Sequence, residues 1–431
     1  MSAEHPSNRV WERIVEDPSA GADALDPAAR RALPRNGTRI LGATSAMNAA
    51  DQVVHAPTVL TWALTGLGAP GWAVGLLVPV REAGSMLPQA AMTPWVRSWA
   101  RRHRLVALGA LVQAVGAVAI TLCLALTSGV AVGLGVLAGL AVLATGRAVT
   151  SLASKDSQGR TIPKGQRGQL TGTATVVAGL VALTLGVGLR LSGGGTDPRH
   201  LAGVAALAAP LFLLTAWAWL RVEEPPSADS SDGPPAAPWT LWRTAPDFRH
   251  FVTVRALLLI TALAPTFLVA ASAQQSSSPL TGLAPFVLGT GVASLLGGRV
   301  SGRLADRSSR LLMVGGATAA SVVLVATLAL AALTGDTVMA WVLPGAYFLV
   351  TLFHTGVRTG RKTYLVDMAE GDTRTAYTAA ANTLIAVVLL VTGGLAGLLA
   401  GVSPWWPLAM LTALGVAGAV LGLRLPEVSR R

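Results

Sequence analysis

This sequence is short of charge. Asp, Glu, Lys and Arg make up 13% of its 431 residues, against about 25% in an ordinary soluble chain. With 52% hydrophobic residues and a mean hydropathy of +0.56, an aqueous fold could not hide the apolar surface, which leaves an all-α membrane protein crossing the bilayer many times. Cysteine is nearly absent too. Cys123 alone excludes an intrachain disulfide and a thiolate metal site. The histidines (His5, His55, His103, His200, His250, His354) share no ligand spacing, so neither a metal nor a cofactor is expected. No G-x-x-x-x-G-K-[ST], G-x-S-x-G or H-E-x-x-H occurs, and the chain reads as a non-enzyme. Lysine is limited to Lys155, Lys164 and Lys362, a bias toward arginine that fits GC-rich bacterial coding. The first 39 residues hold no apolar run, so no cleaved signal peptide is evident and the tail is expected to stay in the cytoplasm.

The net charge of +12 invites a nucleic-acid partner, but its distribution argues for a membrane. A helical span needs about 20 mostly apolar residues. Twelve stretches qualify: 40–64, 71–93, 105–127, 129–150, 169–191, 200–221, 251–273, 280–301, 311–334, 337–357, 376–400 and 403–424. With the N-terminus inside, the basic clusters fall on one side: Arg97 to Arg104, Lys155 to Arg167, Arg299 to Arg310, and Arg358 to Arg374. The other side holds Arg190 and Arg199, which is the positive-inside pattern. Trp62, Trp72, Trp341, Trp405 and Trp406 are expected at outer interfaces, and Trp95, Trp99, Trp217, Trp219, Trp239 and Trp242 at inner ones. The chain then divides into a cytoplasmic tail (1–39), a six-helix bundle (40–221), a cytoplasmic linker (222–250), a second six-helix bundle (251–424) and a tail (425–431). The linker opens on the flexible composition EEPPSADSSDGPPAAP and ends on PWTLWRTAPDF, which suits a short interfacial helix. Six spans return the chain to its starting side, so the bundles are parallel repeats. Lys155, Arg167 and Thr171 recur as Lys362, Arg374 and Thr378 at a constant offset.

The stretch Gly302 to Arg310, GRLADRSSR, resembles the G-x-L-A-D-R-x-x-R loop motif of the major facilitator superfamily, and it stands where that motif is expected, between spans 8 and 9. Val78 to Gln89 (VPVREAGSMLPQ), Ser154 to Gly168 (SKDSQGRTIPKGQRG) and Ala381 to Ala386 (ANTLIA) are similar to a bacterial branch of that superfamily without an assigned substrate. The resemblance implies the major facilitator fold, cytoplasmic termini, a bacterial cytoplasmic membrane and a monomer. The first-half loop WVRSWARRHR departs from the motif. It keeps the basic end and has neither the glycine nor the aspartate.

Charge inside the spans marks the candidate site. Asp51 in span 1 and the adjacent Arg81 and Glu82 in span 2 fall at similar depth, where an ionised side chain costs about 2.5–3.5 kcal/mol. His55, four residues after Asp51, is expected on the same helix face, with Pro57 weakening that turn. Pro79, Gly84, Ser85 and Pro88 surround the charged pair, the composition of a broken span lining a cavity. Asp51, Glu82 and Arg81 together carry one negative charge, so one carboxylate pairs with Arg81 while the other exchanges a proton or meets a cationic substrate. The alternative is a static ion pair between spans 1 and 2. Asn382 in span 11 needs a partner in apolar surroundings and is expected to face the interior. A cytoplasmic gating network is expected from Arg147, Asp156, Gly302, Asp306, Arg307, Arg310 and Arg358. Arg147, Arg255, His354 and Arg358 are alternatively interfacial anchors or solvated helix ends. Gly129, Gly133, Gly135, Gly139, Gly393, Gly397 and Gly401 suit close helix packing.

These features point to a secondary transporter of a small organic solute working by alternating access, with protons as the expected coupling ion and export as the expected direction. Metabolite uptake, a lipid-type carrier and a non-transporting sensor or assembly protein are the alternatives.

Overall fold

The computed structural model describes residues 11–15, 21–163, 166–191, 197, 199–226, 238–258, 260–274, 282–368 and 373–427. Among these residues the regular structure is helical, without strands. The first long helix, α1 (Pro27–Val53), begins on a cap written in the sequence. The Asp26 carboxylate accepts the Ala28 N–H at 2.8 Å, and Pro27 occupies the first turn, where its missing N–H costs nothing. The helix therefore starts well before residue 40, and much of the stretch expected to be tail is continuous with the first span. Its early turns are held by the chain leaving the first bundle. Asn36 exchanges two hydrogen bonds with the Glu223 backbone (2.8 and 2.9 Å), and Arg39 pairs with the Glu223 carboxylate at 3.0 Å.

α1 stops where Pro57 demands it. Proline cannot donate to the Val53 carbonyl and its ring clashes with that group. The chain passes through extended His55 (φ −66°, ψ 116°) into a π-turn at Ala56–Leu60, then into α2 (Thr61–Gly66). Gly68, at φ +73°, turns the chain into α3 (Gly71–Met86), and Pro88 opens α4 (Pro88–Arg97). The first bundle continues with α5 (His103–Leu126), α6 (Gly129–Thr161), α7 (Gln166–Leu191), α8 (His200–Ala206) and α9 (Ala208–Leu220). α10 (Pro238–Thr244) follows the linker. The second bundle holds α11 (Pro246–Leu257), α12 (Ile260–Gln274), α13 (Ala284–Arg307), α14 (Ser309–Leu333), α15 (Asp336–Met368), α16 (Thr373–Ala400) and α17 (Trp405–Gly422).

Nine helices among the described residues are long and apolar enough to cross a membrane. The other three stretches read as spans from the sequence are helical as well, but breaks or charges interrupt them at 27–66 and 71–97, and the apolar part of α13 is the shorter Ala284–Gly297. Large apolar side chains face outward along single stripes. On α5, Leu108, Leu111, Val115, Val118 and Leu122 are exposed at helical spacing, the surface a helix shows to lipid. Two expectations about helix ends fail. α6 runs on through Lys155 and Asp156, and α13 through the GRLADR stretch, so neither segment is a loop. An Asp156–Arg160 pair one turn apart (2.9 Å) supports the polar end of α6.

The helices pack in two groups, α1 to α9 and α11 to α17, which meet through α3 with α16, α7 with α13, and α2 with α12. Glycine makes the first contact possible. A Cβ on Gly75 would strike the Gly397 backbone, one on Gly71 the Gly401 nitrogen at 2.7 Å, and one on Gly397 the Trp72 Cα at 2.8 Å. In the second contact, Gly186 and Gly179 admit Leu288 and Leu295. The first seam lies at the ends of α3 and α16 remote from Arg221 and Pro238, and the second runs from the middle of α7 and α13 toward the same side. Trp62, expected at a lipid interface, is instead 6% exposed and packs on Phe286 between the groups, with ring centroids 6.4 Å apart.

Candidate functional site

Asp51 is the centre of the site. It sits 7% exposed on the last turn of α1, just before the proline-imposed break. One carboxylate oxygen lies 3.0 Å from Arg81 Nη2 on α3, and the other accepts a hydrogen bond from Arg147 Nη2 on α6. Three helices of the first bundle are thus tied by one acid between two guanidiniums. Arg147, assigned from the sequence to a cytoplasmic network or an interfacial anchor, belongs to this cluster. Its addition cancels the negative charge that Asp51, Glu82 and Arg81 leave. The sequence signal was partial, an arginine near the expected inner end of an apolar span, and its depth relative to Asp51 depends on how α1 and α6 are staggered.

Glu82 is placed differently from Asp51. Arg81 Nη1 is 3.8 Å away, a loose pair, and the Glu82 side chain is 39% exposed. Pro79 inside α3 frees the turn above, while Ser85 Oγ donates to the Glu82 carbonyl at 2.8 Å. Glu82 is also near enough for its charge to act on Arg361 of α15. His55 is not on a helical face with Asp51, because the helix has ended. Its Nδ1 lies 2.9 Å from Thr58 Oγ1 in the π-turn.

The second bundle contributes a facing set. Arg255 of α11 is 6% exposed and donates from Nη2 to Asn382 Oδ1 of α16 at 3.1 Å, giving the Asn382 amide the partner it was expected to need. His354 of α15 lies 3.0 Å, through Nδ1, from Thr261 Oγ1 of α12. Arg361 lies near Arg255, and Arg358, one turn past His354, is exposed. Neither Arg361 nor the Arg255–Asn382 contact was recognised from the sequence. The apolar crevice between α14 and α17, about 430 Å³, carries no charged residue and suits an acyl chain rather than a polar solute.

Asp156 and Arg310, also expected in a gating network, belong instead to two other clusters at the linker end. In the first bundle Asp156 pairs with Arg102 and, at 2.9 Å, with Arg160. Arg160 also pairs with Glu224, whose fully buried carboxylate accepts the His103 N–H at 2.7 Å and lies 2.9 Å from His103 Nδ1. The acid missing from the first-half motif is thus supplied by α6 and by the chain after α9. In the second bundle Arg310 donates to the Leu425 carbonyl at 2.9 Å and pairs with Glu427 at 3.6 Å. Ser308 caps α14 through the Leu311 N–H at 3.1 Å and hydrogen-bonds Glu427. Among the described side chains, Glu427 is the acid beside Arg310. Arg307 is exposed at the end of α13, while the side-chain surroundings of Gly302 and Asp306 lie outside the described residues. Glu224 and Glu427 were both missed. The echo of LRVEEP (220–225) in LRLPEV (423–428) would have found them.

Comparison with solved structures shows the same arrangement of helices elsewhere. A D-xylose–proton symporter aligns with a TM-score of 0.70 at 10% identity, covering 91% of this chain and 98% of its own. A POT family transporter in complex with a thioalcohol-conjugated peptide aligns at 0.70 and 13%, covering 94% and 98%. A bacterial homologue of the iron transporter ferroportin, in its inward-facing state, aligns at 0.65 and 15%, covering 93% and 100%. No curated protein sequence matches. At these identities the structures speak for the fold alone, but the profile of the Major Facilitator Superfamily matches the sequence itself over residues 41–386. Most of the chain, including Asp51, both paired arginines and Asn382, falls inside that match, and the protein therefore belongs to the Major Facilitator Superfamily, a family of transporters rather than enzymes.

Proposed function

We propose that this protein is a proton-coupled secondary transporter that moves a small organic solute through a cleft between its two bundles. The observation that carries the reading is the division of labour between the two acids. Asp51 is held by two arginines and keeps the first bundle together. Glu82 has one loose partner, stands partly open and lies within electrostatic reach of Arg361 in the second bundle, so it is the carboxylate free to exchange a proton. In this reading twelve helices cross a bacterial cytoplasmic membrane, both termini lie in the cytoplasm, and the chain works as a monomer. Close packing far from the linker, with Glu82 and Arg358 open nearer to it, corresponds to an inward-facing state. Alternating access then requires the glycine seams to part while the linker ends close.

Purified protein in proteoliposomes tests this. Glu82→Gln is expected to abolish accumulation driven by a pH gradient while leaving downhill exchange of the same solute. Full gradient-driven accumulation by Glu82→Gln would remove Glu82 from the coupling step.

A further inference from the structure

The charge of the cleft bears on what the protein carries, and the inference rests on the transporter reading above. Among the described residues, two carboxylates, Asp51 and Glu82, stand with five guanidiniums: Arg81, Arg147, Arg255, Arg358 and Arg361. Asp51 is spent on Arg81 and Arg147. Glu82 is left to serve Arg81 and Arg361 from its loose position. Among the described residues no carboxylate pairs with Arg255, although it is almost fully buried. Its Nη2 reaches a neutral amide oxygen, and its Nε has no hydrogen-bond partner. Arg361 is near enough for its charge to repel that of Arg255, and Arg358 in turn acts on Arg361.

A buried guanidinium without a counter-charge is strongly unfavourable, and a second of like sign nearby makes it worse. Such groups persist inside membranes where they line a pathway. Guanidinium also presents paired N–H groups that match the two oxygens of a carboxylate or phosphate. We propose that the cleft binds an organic anion, whose carboxylate or phosphate group is clamped by Arg255 and Arg361 of the second bundle. Asn382 orients Arg255 for this contact from its other side. Glu82 opposes the anion while ionised and ceases to do so once protonated. Proton and anion therefore favour each other's binding, as linkage requires, and the two travel together.

The test uses the full-length protein in detergent and in phosphatidylcholine proteoliposomes. The probes are shape-matched sets: benzoate, benzyl alcohol and benzylamine, then succinate and glycerol 3-phosphate with glycerol as their neutral control. Thermal stabilisation is expected from one or more anions and not from the neutral or cationic members. Arg255→Gln and Arg361→Gln are expected to weaken that anion's binding at least tenfold, with an unliganded melting temperature near that of the parent for the more exposed Arg361 variant. Glu82→Gln is expected to tighten it, and exposed Arg249→Gln to leave it unchanged. Stabilisation confined to neutral or cationic compounds, no response to any anion, or undiminished anion binding in both arginine variants overturns the proposal. The two readings fail separately. Anion binding without counterflow in the vesicles sinks transport and keeps the anion site. Counterflow of a neutral or cationic compound does the reverse.

Discussion

A buried aspartate between two arginines is held by both at once, and so are they by it. Removing Asp51 leaves Arg81 and Arg147 facing each other with no acid between them. Breaking a buried ion pair from one side costs about 3–5 kcal/mol, and the lower end applies because the two arginine side chains retain 18% and 27% exposure. Asp51→Asn is therefore expected to destabilise the protein by roughly 3 kcal/mol in a detergent melt. Asp51→Asn combined with Arg147→Gln is expected to lose less than the two single changes added, because the second change removes a charge that the first left unpaired. Strict additivity in that cycle would show that the two side chains do not interact. Residue identity alone supplied the anomaly of charge within apolar spans. It could not supply the pairing, since Arg147 is remote in sequence and its reach to Asp51 depends on tertiary stagger.

At the scale of helices, the bundles approach closely where glycine removes the side chain. Gly75 and Gly397 meet backbone to backbone, so no larger residue fits without separating α3 from α16. Gly75→Leu is expected to disfavour this conformation and populate the one in which the far ends part. In a Cys123→Ala background, a cysteine placed at Ser85 and labelled from the linker side reports the change. Its reaction with an impermeant thiol reagent is expected to slow several-fold in Gly75→Leu. An unchanged rate would mean that the seam does not set the conformational balance. The glycine spacing in the last part of α16 was visible in the sequence, and so was its suitability for close packing. Its partner was not, because Gly71 and Gly75 lie among bulky apolar residues that look like ordinary lipid-facing span. Helix ends misled for a related reason. The polar stretches after Gly146 and Gly298 look like loops, yet Asp156, Arg160 and their neighbours satisfy one another along a continuing helix.

For the whole molecule, each bundle is fastened at the linker end by a glutamate that follows its last helix. Glu224 is fully buried against His103 and Arg160, and Glu427 meets Ser308 and Arg310. Glu224→Ala is expected to lower the melting temperature more than Glu427→Ala, since the Glu224 carboxylate is wholly enclosed whereas Glu427 retains 21% exposure. Equal melting temperatures for the two variants would contradict this ranking. The tail joins the same end of the first bundle. Trp11 is 1% exposed and its ring fills the space a Cβ on Gly37 would need, so Trp11→Ala is expected to cost about 3 kcal/mol, the low end for emptying an aromatic site. The proposed topology is open to a reporter test. Fusions after Arg221 and Met368 are expected to report the cytoplasm, and fusions at Gly68 and Asp197 the opposite side. A cytoplasmic report from Gly68 would remove the first span from the count.

The sequence by itself determined that the chain is an apolar bundle of helices, that its charge lies in a few short stretches, and that a few ionisable groups are stranded in the spans. Those are consequences of composition and of the distance a helix rises per residue, and they need no partner to be read. Tertiary structure alone decided that Asp51 is closed by Arg147, that Glu82 is loose and within electrostatic reach of Arg361, and that Arg255 answers to Asn382. The reason is physical. A charge in an apolar helix must find a counter-charge or a pathway, and which of the two it finds depends on the stagger of helices far apart in sequence. Residue order does not fix that stagger locally; the packing of small residues along their seams does.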